Sequence, residues 1–337
     1  MNDLPSFSEL VKVELHCHLE LAFRPATLKQ WAREAGLDVQ REGDFARRFL
    51  IREPMQDLPA VLNKFLGVRD LLASEAMLEQ LAFEVCEDMH VEHGVRVLEL
   101  RYAPSFLLDK HRHLEADRLQ AAILRGCARA EALYPIATGL ICILQRTHSA
   151  QENARWLDFA IAHKEGFVGM DLADNEVDCD PEPFIPLFLR AKRAGFGITI
   201  HAGEPAVPGI ARNIVTAIES MGADRIGHGV QAIHDPAVMR LLAERRIPLE
   251  LCPTSNWLTQ AVPSLEEYPL LRLRDAGVRV TVNTDDPGIM DTNLTREYQR
   301  MTQHLGATVA DFEQFNAWAL EASFIDHEKI QRALAAD

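Results

Sequence analysis

The chain has 337 residues, 47% of them hydrophobic, with 50 acidic against 35 basic side chains for a formal net charge of −15. That balance argues against nucleic acid and anionic membranes as partners, since both are held through clustered Lys and Arg. The N-terminus lacks a basic stretch followed by an apolar run, and the most apolar window, Tyr134 to Leu144, is too short to span a bilayer.

A cytoplasmic protein is therefore expected. Its six cysteines, at 17, 86, 127, 142, 179 and 252, contain no C-x-x-C pair and read as buried, reduced thiols. Short apolar runs rich in β-branched residues predict eight strands: Val11 to His18, Val95 to Pro104, Ile136 to Arg146, Phe167 to Leu172, Gly197 to His201, Arg225 to Gly227, Ile247 to Cys252 and Val278 to Asp285. Helical periodicity lies between them, at Glu75 to His93, Glu115 to Leu133, Asn153 to His163, Phe184 to Ala194 and Ala211 to Met221. This alternation predicts an α/β fold with a parallel sheet, and eight strands buried on both faces predict one (β/α)8 TIM barrel over residues 1–337 as a single domain.

The interval Leu19 to Gly94 exceeds what one crossover needs and predicts extra helices after the first strand. Within it Leu58, Val61, Leu62, Phe65 and Leu66 share one helical face, with Asp57 and Pro59 suited to the first turn. That stripe is expected to pack on the barrel, to roof an active site, or both. Beyond Asp285 the chain reads helical to its end, with Phe312, Phe315, Ala319 and Leu320 as structural contacts.

His16 and His18 close the first strand, and residues two apart on a strand point to the same face, so both imidazoles can meet one ion. Alone, an H-x-H also suits a polar surface. His201 ends the fifth strand in Ile-Thr-Ile-His-Ala-Gly-Glu, His228 lies between two glycines after the sixth, and Asp285 and Asp286 close the eighth. Separately these read as a core histidine, a glycine turn and a solvated Asp-Asp-Pro turn. Together they deliver ligands from several strand ends to the face where barrel enzymes do their chemistry. His16, His18, His201 and Asp285 supply nitrogen and oxygen without thiolate, a set that suits zinc and also admits iron, manganese or cobalt.

These residues carry a resemblance. His-Cys-His-Leu-Glu (16–20), Leu-Glu-Leu-Arg-Tyr-Ala-Pro (98–104), Asp-Leu-Ala-Asp-Asn-Glu (171–176), His-Ala-Gly-Glu (201–204), Arg-Ile-Gly-His-Gly (225–229), Leu-Cys-Pro-Thr-Ser-Asn (251–256) and Asp-Asp-Pro (285–287) occur in an order similar to the adenosine and adenine deaminase family of the metal-dependent amidohydrolases. The resemblance runs from about Val11 to Pro287. It implies one divalent ion, zinc foremost, on His16, His18, His201 and Asp285. It further implies that Glu204 gives a proton to purine N1, that His228 orients or deprotonates the attacking water, and that Asp286 meets N7. His18, Glu20 and Asp174 would join Asp286 on a small purine substrate. The chemistry is consistent: an aromatic amine leaves once its ring carbon is made electrophilic and attacked by hydroxide.

Four positions depart from the family pattern. Glu20 stands where adenosine enzymes usually carry an aspartate facing the ribose 5′-hydroxyl, Leu21 and Asp174 stand where glycines are usual, and Asn175 replaces an aspartate. Adenosine is the expected substrate, with free adenine and modified adenine derivatives as alternatives. An alternative reading has Glu20 holding the adjacent loop, with Arg24 as its ion-pair partner. Two rival readings are a binuclear amidohydrolase, disfavoured because the fourth strand has no lysine, and a non-catalytic metal-binding barrel, which leaves Glu204, His228 and Asp286 without work. The oligomeric state stays open.

Overall fold

The computed structural model describes residues 7, 9–55 and 58–336, without the side chains of 58–61. All eight predicted strands form: β1 (Lys12–His18), β2 (Val95–Tyr102), β3 (Ala137–Gln145), β4 (Gly169–Ala173), β5 (Gly197–Ala202), β6 (Arg225–His228), β7 (Leu249–Leu251) and β8 (Val280–Val282). They pair in parallel in sequential order. β8 and β1 meet through a single bridge between Cys17 and Asp285, where Asp285 N–H donates to His16 O and His18 N–H to Asp285 O, both at 2.8 Å. Lower down, Asn283 Oδ1 accepts from Leu15 N–H at 3.1 Å in place of a ladder bond. The result is a nearly closed barrel with helices packed around it. β8 stops short of the predicted Asp285 because that residue turns to φ +64, off the extended conformation.

Among the described residues four α-helices fill the interval after β1, at Pro25–Glu34, Glu42–Phe49, Leu58–Arg69 and Glu75–Val91. The last is capped by Ser74, whose hydroxyl accepts from Met77 N–H. The helix Leu58–Arg69 corrects the predicted stripe: Leu62 and Leu66 are exposed, whereas Val68 is fully buried and Phe65 packs partly against the core. Lys64 explains the rotation, because its amine donates to the carbonyls of Arg47 and Leu50 and so turns the adjoining face toward helix Glu42–Phe49. Of the remaining predicted positions, Asp57 and the side chains of Leu58, Pro59 and Val61 lie outside what the structure describes. The C-terminal helices, Leu294–Leu305, Val309–Ala322 and His327–Ala335, bury Phe312, Phe315 and Ala319 as expected.

The barrel interior departs from the usual layers of branched aliphatics. Glu250 on β7 accepts from Arg101 (2.8 Å), Arg225 (2.6 Å) and Thr199 (3.0 Å), while Arg101 also pairs with Asp171 at 2.9 Å. All of these side chains are fully buried. Removing one partner from such a network costs roughly 3–5 kcal/mol, because an uncompensated charge is left inside. At the N-terminal end Phe324 plugs the barrel: its ring lies 3.7 Å from the Arg225 guanidinium, and a Cβ on Gly197 would fall 2.3 Å from it. Glycine on β5 is thus required for that ring to enter. Among the described residues no helix is long and apolar enough to cross a membrane, and all six cysteines are free thiols.

Candidate active site

The C-terminal ends of β1, β5, β6 and β8 bring His16, His201, His228 and Asp285 together, with one ligand atom from each lying within 4.8 Å of all the others. His18 joins through Asp285, whose Oδ1 is 3.2 Å from Nε2 of both His16 and His18. Asp286 completes a second group with His18 and Asp285. The predicted set is therefore gathered at one point, and His228 stands as close to its centre as the predicted ligands do.

The tautomers separate these histidines. His16 Nδ1 faces Glu250 Oε2 at 2.8 Å and His201 Nδ1 faces Asp171 Oδ1 at 3.1 Å. A carboxylate only accepts, so each Nδ1 carries the proton and each Nε2 turns a lone pair inward, the arrangement that orients metal-ligating imidazoles. His228 is the reverse. Its Nδ1 accepts from Asn256 Nδ2–H at 3.1 Å, an orientation supported by Tyr268 O–H donating to Asn256 Oδ1 at 2.8 Å. A neutral His228 then presents an N–H at Nε2, a donor rather than a ligand.

Burial pushes the His201 imidazole down to about 3, so it stays neutral. Burial also penalises charge on Asp171 and Glu250, yet for Asp171 its His201 partner and the Arg101 guanidinium, and for Glu250 the Arg101 and Arg225 charges, more than offset it and hold both carboxyls low. Asp285 stays low despite its burial, whereas burial and then the neighbouring Asp285 drive Asp286 up. His16 Nε2, fully buried, has no hydrogen-bond partner, nor has Asp286 Oδ1. An orphaned inward lone pair beside an ionised carboxylate and further imidazoles fits a divalent cation. The chain thus builds a single divalent metal site of three histidines and one aspartate.

Local strain marks the same place. His228 sits at φ +59 and Asp285 at φ +64, a conformation costing on the order of 1–3 kcal/mol in a non-glycine residue and concentrated at functional sites. Glu204 Oε2 lies 3.6 Å from His228 Nε2, and its Oε1 accepts from Thr259 Oγ1 at 3.2 Å and Asn256 Nδ2 at 3.3 Å. Glu20 is 3% exposed, with Oε1 accepting from Ala103 N–H at 2.9 Å, and burial pushes it up to about 7. It does not pair with Arg24, as the sequence suggested; Arg24 turns to Glu87 at 2.8 Å and to Asp88, carboxylates on helix Glu75–Val91 that the primary sequence does not place beside it. Asp174 adopts φ +83, keeping the backbone shape a glycine would supply, while its carboxylate accepts from Thr147 Oγ1 and, at 3.3 Å, Gln145 Nε2.

Sequence reasoning missed Glu14, Asp171, Glu176 and Glu250 as supports of the site. Glu14 accepts from His16 N–H at 2.9 Å and from Thr284 N–H at 3.0 Å, tying β1 to the end of β8. A signal was present: Glu14, His16 and His18 on β1, Glu99 and Arg101 on β2, and Thr199 and His201 on β5 all recur at spacing two, which marks one polar face in otherwise apolar strands.

Comparison with known proteins agrees with this geometry. The family model described as adenosine deaminase matches residues 11–336. An adenosine deaminase from Plasmodium falciparum (isolate 3D7) is 35% identical over 324 residues, covering 95% of this chain and 87% of that protein. Among solved structures, an amidohydrolase from Burkholderia ambifaria with bound Zn superposes with TM-score 0.87 at 29% identity, covering 98% of this chain and 90% of the other. An adenine deaminase from Arthrobacter aurescens gives TM-score 0.85 at 25% identity, covering 96% of each chain. With a matching family model over nearly its whole length and a metal site at the expected strand ends, the chain belongs to the adenosine/adenine deaminase family of the metal-dependent amidohydrolase superfamily.

Proposed function

We propose that this protein, acting as one domain, hydrolyses the exocyclic amine of a 6-aminopurine, and that adenine or an adenine derivative is preferred over adenosine. The observation that carries the deaminase reading is the pairing of two inward-facing Nε2 lone pairs, on His16 and His201, with the carboxyl of Glu204 facing the Nε2–H of His228 at 3.6 Å. In this reading His16, His18, His201 and Asp285 hold one ion, zinc by analogy with the zinc-bound relative. Held there, such an ion would supply a nucleophile at neutral pH, since it would bring the pKa of a water down toward about 7.

Glu204 gives a proton to ring N1, drawing electrons from C6. His228, with Nδ1 fixed by Asn256, aims Nε2–H at the attacking oxygen and sets its approach to C6. Purine N7 is an acceptor and needs a donor; Asp286, driven up by burial and by Asp285, keeps the proton required. The C–N bond then breaks with proton transfer to nitrogen, so water and the 6-amino compound give the 6-oxo compound and ammonia. His18, less buried than His16, lies beside Asp286 on the substrate side.

The substrate preference rests on Glu20 and Asp174. Glu20 is folded back onto Ala103 N–H and buried, and a side chain is present at Asp174, so the space beside N9 differs from that of an enzyme with the shorter residues. Likeness to the adenine deaminase supports this; the adenosine deaminase relative favours adenosine as the second reading. Ultraviolet-monitored turnover of adenine, adenosine, 2′-deoxyadenosine and N6-methylated adenines tests it. The expected result is a kcat/KM for adenine or a derivative at least about tenfold above adenosine; the reverse order overturns the preference and leaves the chemistry standing.

A further inference from the structure

A set of contacts behind the site holds Glu204 rather than the ion. Glu176, on the loop after β4 and 5% exposed, spans two consecutive amides: Gly203 N–H donates to its Oε1 at 2.7 Å and Glu204 N–H to its Oε2 at 3.1 Å. Asn213 Nδ2 donates to the same Oε1 at 2.9 Å. From the other side Gln231 N–H donates to Gly203 O at 2.9 Å, and Gln231 Nε2 to Glu204 O at 3.1 Å. The peptide groups flanking Glu204 are thus gripped at both N–H and C=O.

A charge stands behind this grip. Arg146, 4% exposed and immediately after β3, donates to His201 O, while its Nε and one terminal nitrogen have no partner. Glu176 and Asp171 are the leading carboxylates acting on it. Adjacent backbone N–H groups that point one way form an anion-binding concavity. Gly203, at φ +73, makes that turn and leaves no room for a side chain, since a Cβ there would fall 2.6 Å from Ile214 Cδ1. A carboxylate satisfies both amides at once; a carboxamide of the same shape turns its NH2 toward one of them.

We propose that Glu176 is a positioning residue for the proton donor: by holding the Gly203 and Glu204 amides it fixes where the Glu204 carboxyl meets the substrate ring nitrogen. The inference rests on the deaminase reading, in which Glu204 protonates the ring. Its mechanism is separate from ion binding, because the hydrogen bonds of Glu176 go to Gly203, Glu204 and Asn213 and to none of the metal-site residues.

The test is Glu176→Gln in the metal-loaded enzyme, read three ways. Amide hydrogen exchange at Gly203 and Glu204 should accelerate in the variant while that of the β5 strand stays protected. Turnover of the best 6-aminopurine should lose about 100-fold in kcat, the order of effect of a 1 Å misplacement, with KM within about threefold and metal content unchanged. In a Glu204→Asp background the same substitution should cost much less, because the two residues act as one unit. Should Glu176→Gln fail to fold, Glu176→Asp, which keeps the charge and shortens the reach, is read the same way. Unchanged exchange at both amides, a kcat loss matched by metal loss, or an equal loss in both backgrounds overturns the inference. If the wild-type protein turns over no 6-aminopurine, the functional reading fails instead, and exchange alone decides whether the clamp exists.

Discussion

The two ends of the barrel are built on opposite principles. At the N-terminal end Phe324 fills a space opened by glycine, its ring lies on the Arg225 guanidinium, and Glu99 accepts from Ser323 Oγ at 2.7 Å as well as from Arg225. At the C-terminal end His228, Asp285 and Asp174 occupy left-handed backbone, His16 Nε2 and Asp286 Oδ1 have no partner, and three histidines crowd within ring-centroid distances of 4.6–5.0 Å. One end is satisfied and the other is not. A surplus of unmet polar groups at the end where barrels carry their chemistry is the physical signature of a ligand-binding site.

The comparison predicts that damage at the C-terminal end removes activity and damage at the N-terminal end removes stability. The largest effect is expected for His201→Ala and Asp285→Ala: metal content by elemental analysis and turnover should both collapse. Chelation of the wild-type protein should reproduce the loss reversibly and lower Tm, because an ion bound only by the native state stabilises by about 2.7 kcal/mol at 100 times its Kd. His228→Ala should retain the ion and lose roughly 100-fold to 10,000-fold in kcat, as measured by steady-state kinetics; loss of the ion would instead make His228 a ligand and contradict the tautomer argument.

Gly197→Ala belongs to the other end. Its Cβ would drive into Phe324, so it should cost about 1–3 kcal/mol in denaturant unfolding while leaving the kcat of the folded enzyme unchanged. A smaller, shared effect is expected from acid. Glu250 titrates below its ordinary value in the folded protein, so below about 4.5 the unfolded chain binds the more protons and stability falls with pH. Thermal melts of the metal-free protein across that range should show Tm decreasing; a flat profile would mean that the buried network contributes no such dependence. Smallest is Asp174→Gly, which relieves φ +83 and should change stability by about 1 kcal/mol or less while altering the ranking of purine substrates.

Much of this contrast was legible in the sequence, and the rest was hidden for identifiable reasons. Eight apolar runs announced the barrel, and His16, His18, His201, His228 and Asp285 announced the site, because ligands must stand at strand ends. The polar interior was obscured because Glu250, Arg225 and Asp171 each sit singly in short strands, where one charged residue reads as a boundary. The face of helix Leu58–Arg69 was misread because its orientation is set by Lys64 reaching carbonyls of another helix, a contact that periodicity does not contain. The Arg24 pairing failed for the same reason: its partners are more than sixty residues away in sequence.

The measurement that bears most directly on the central claim is turnover of 6-aminopurines by metal-loaded wild-type protein beside Glu204→Gln, with the metal content of both determined on the same samples. The account predicts about one ion per chain in each, turnover with release of ammonia in the wild type, and a loss of at least about 100-fold in the variant. Full metal occupancy with no turnover of any 6-aminopurine, or undiminished turnover in Glu204→Gln, would contradict it.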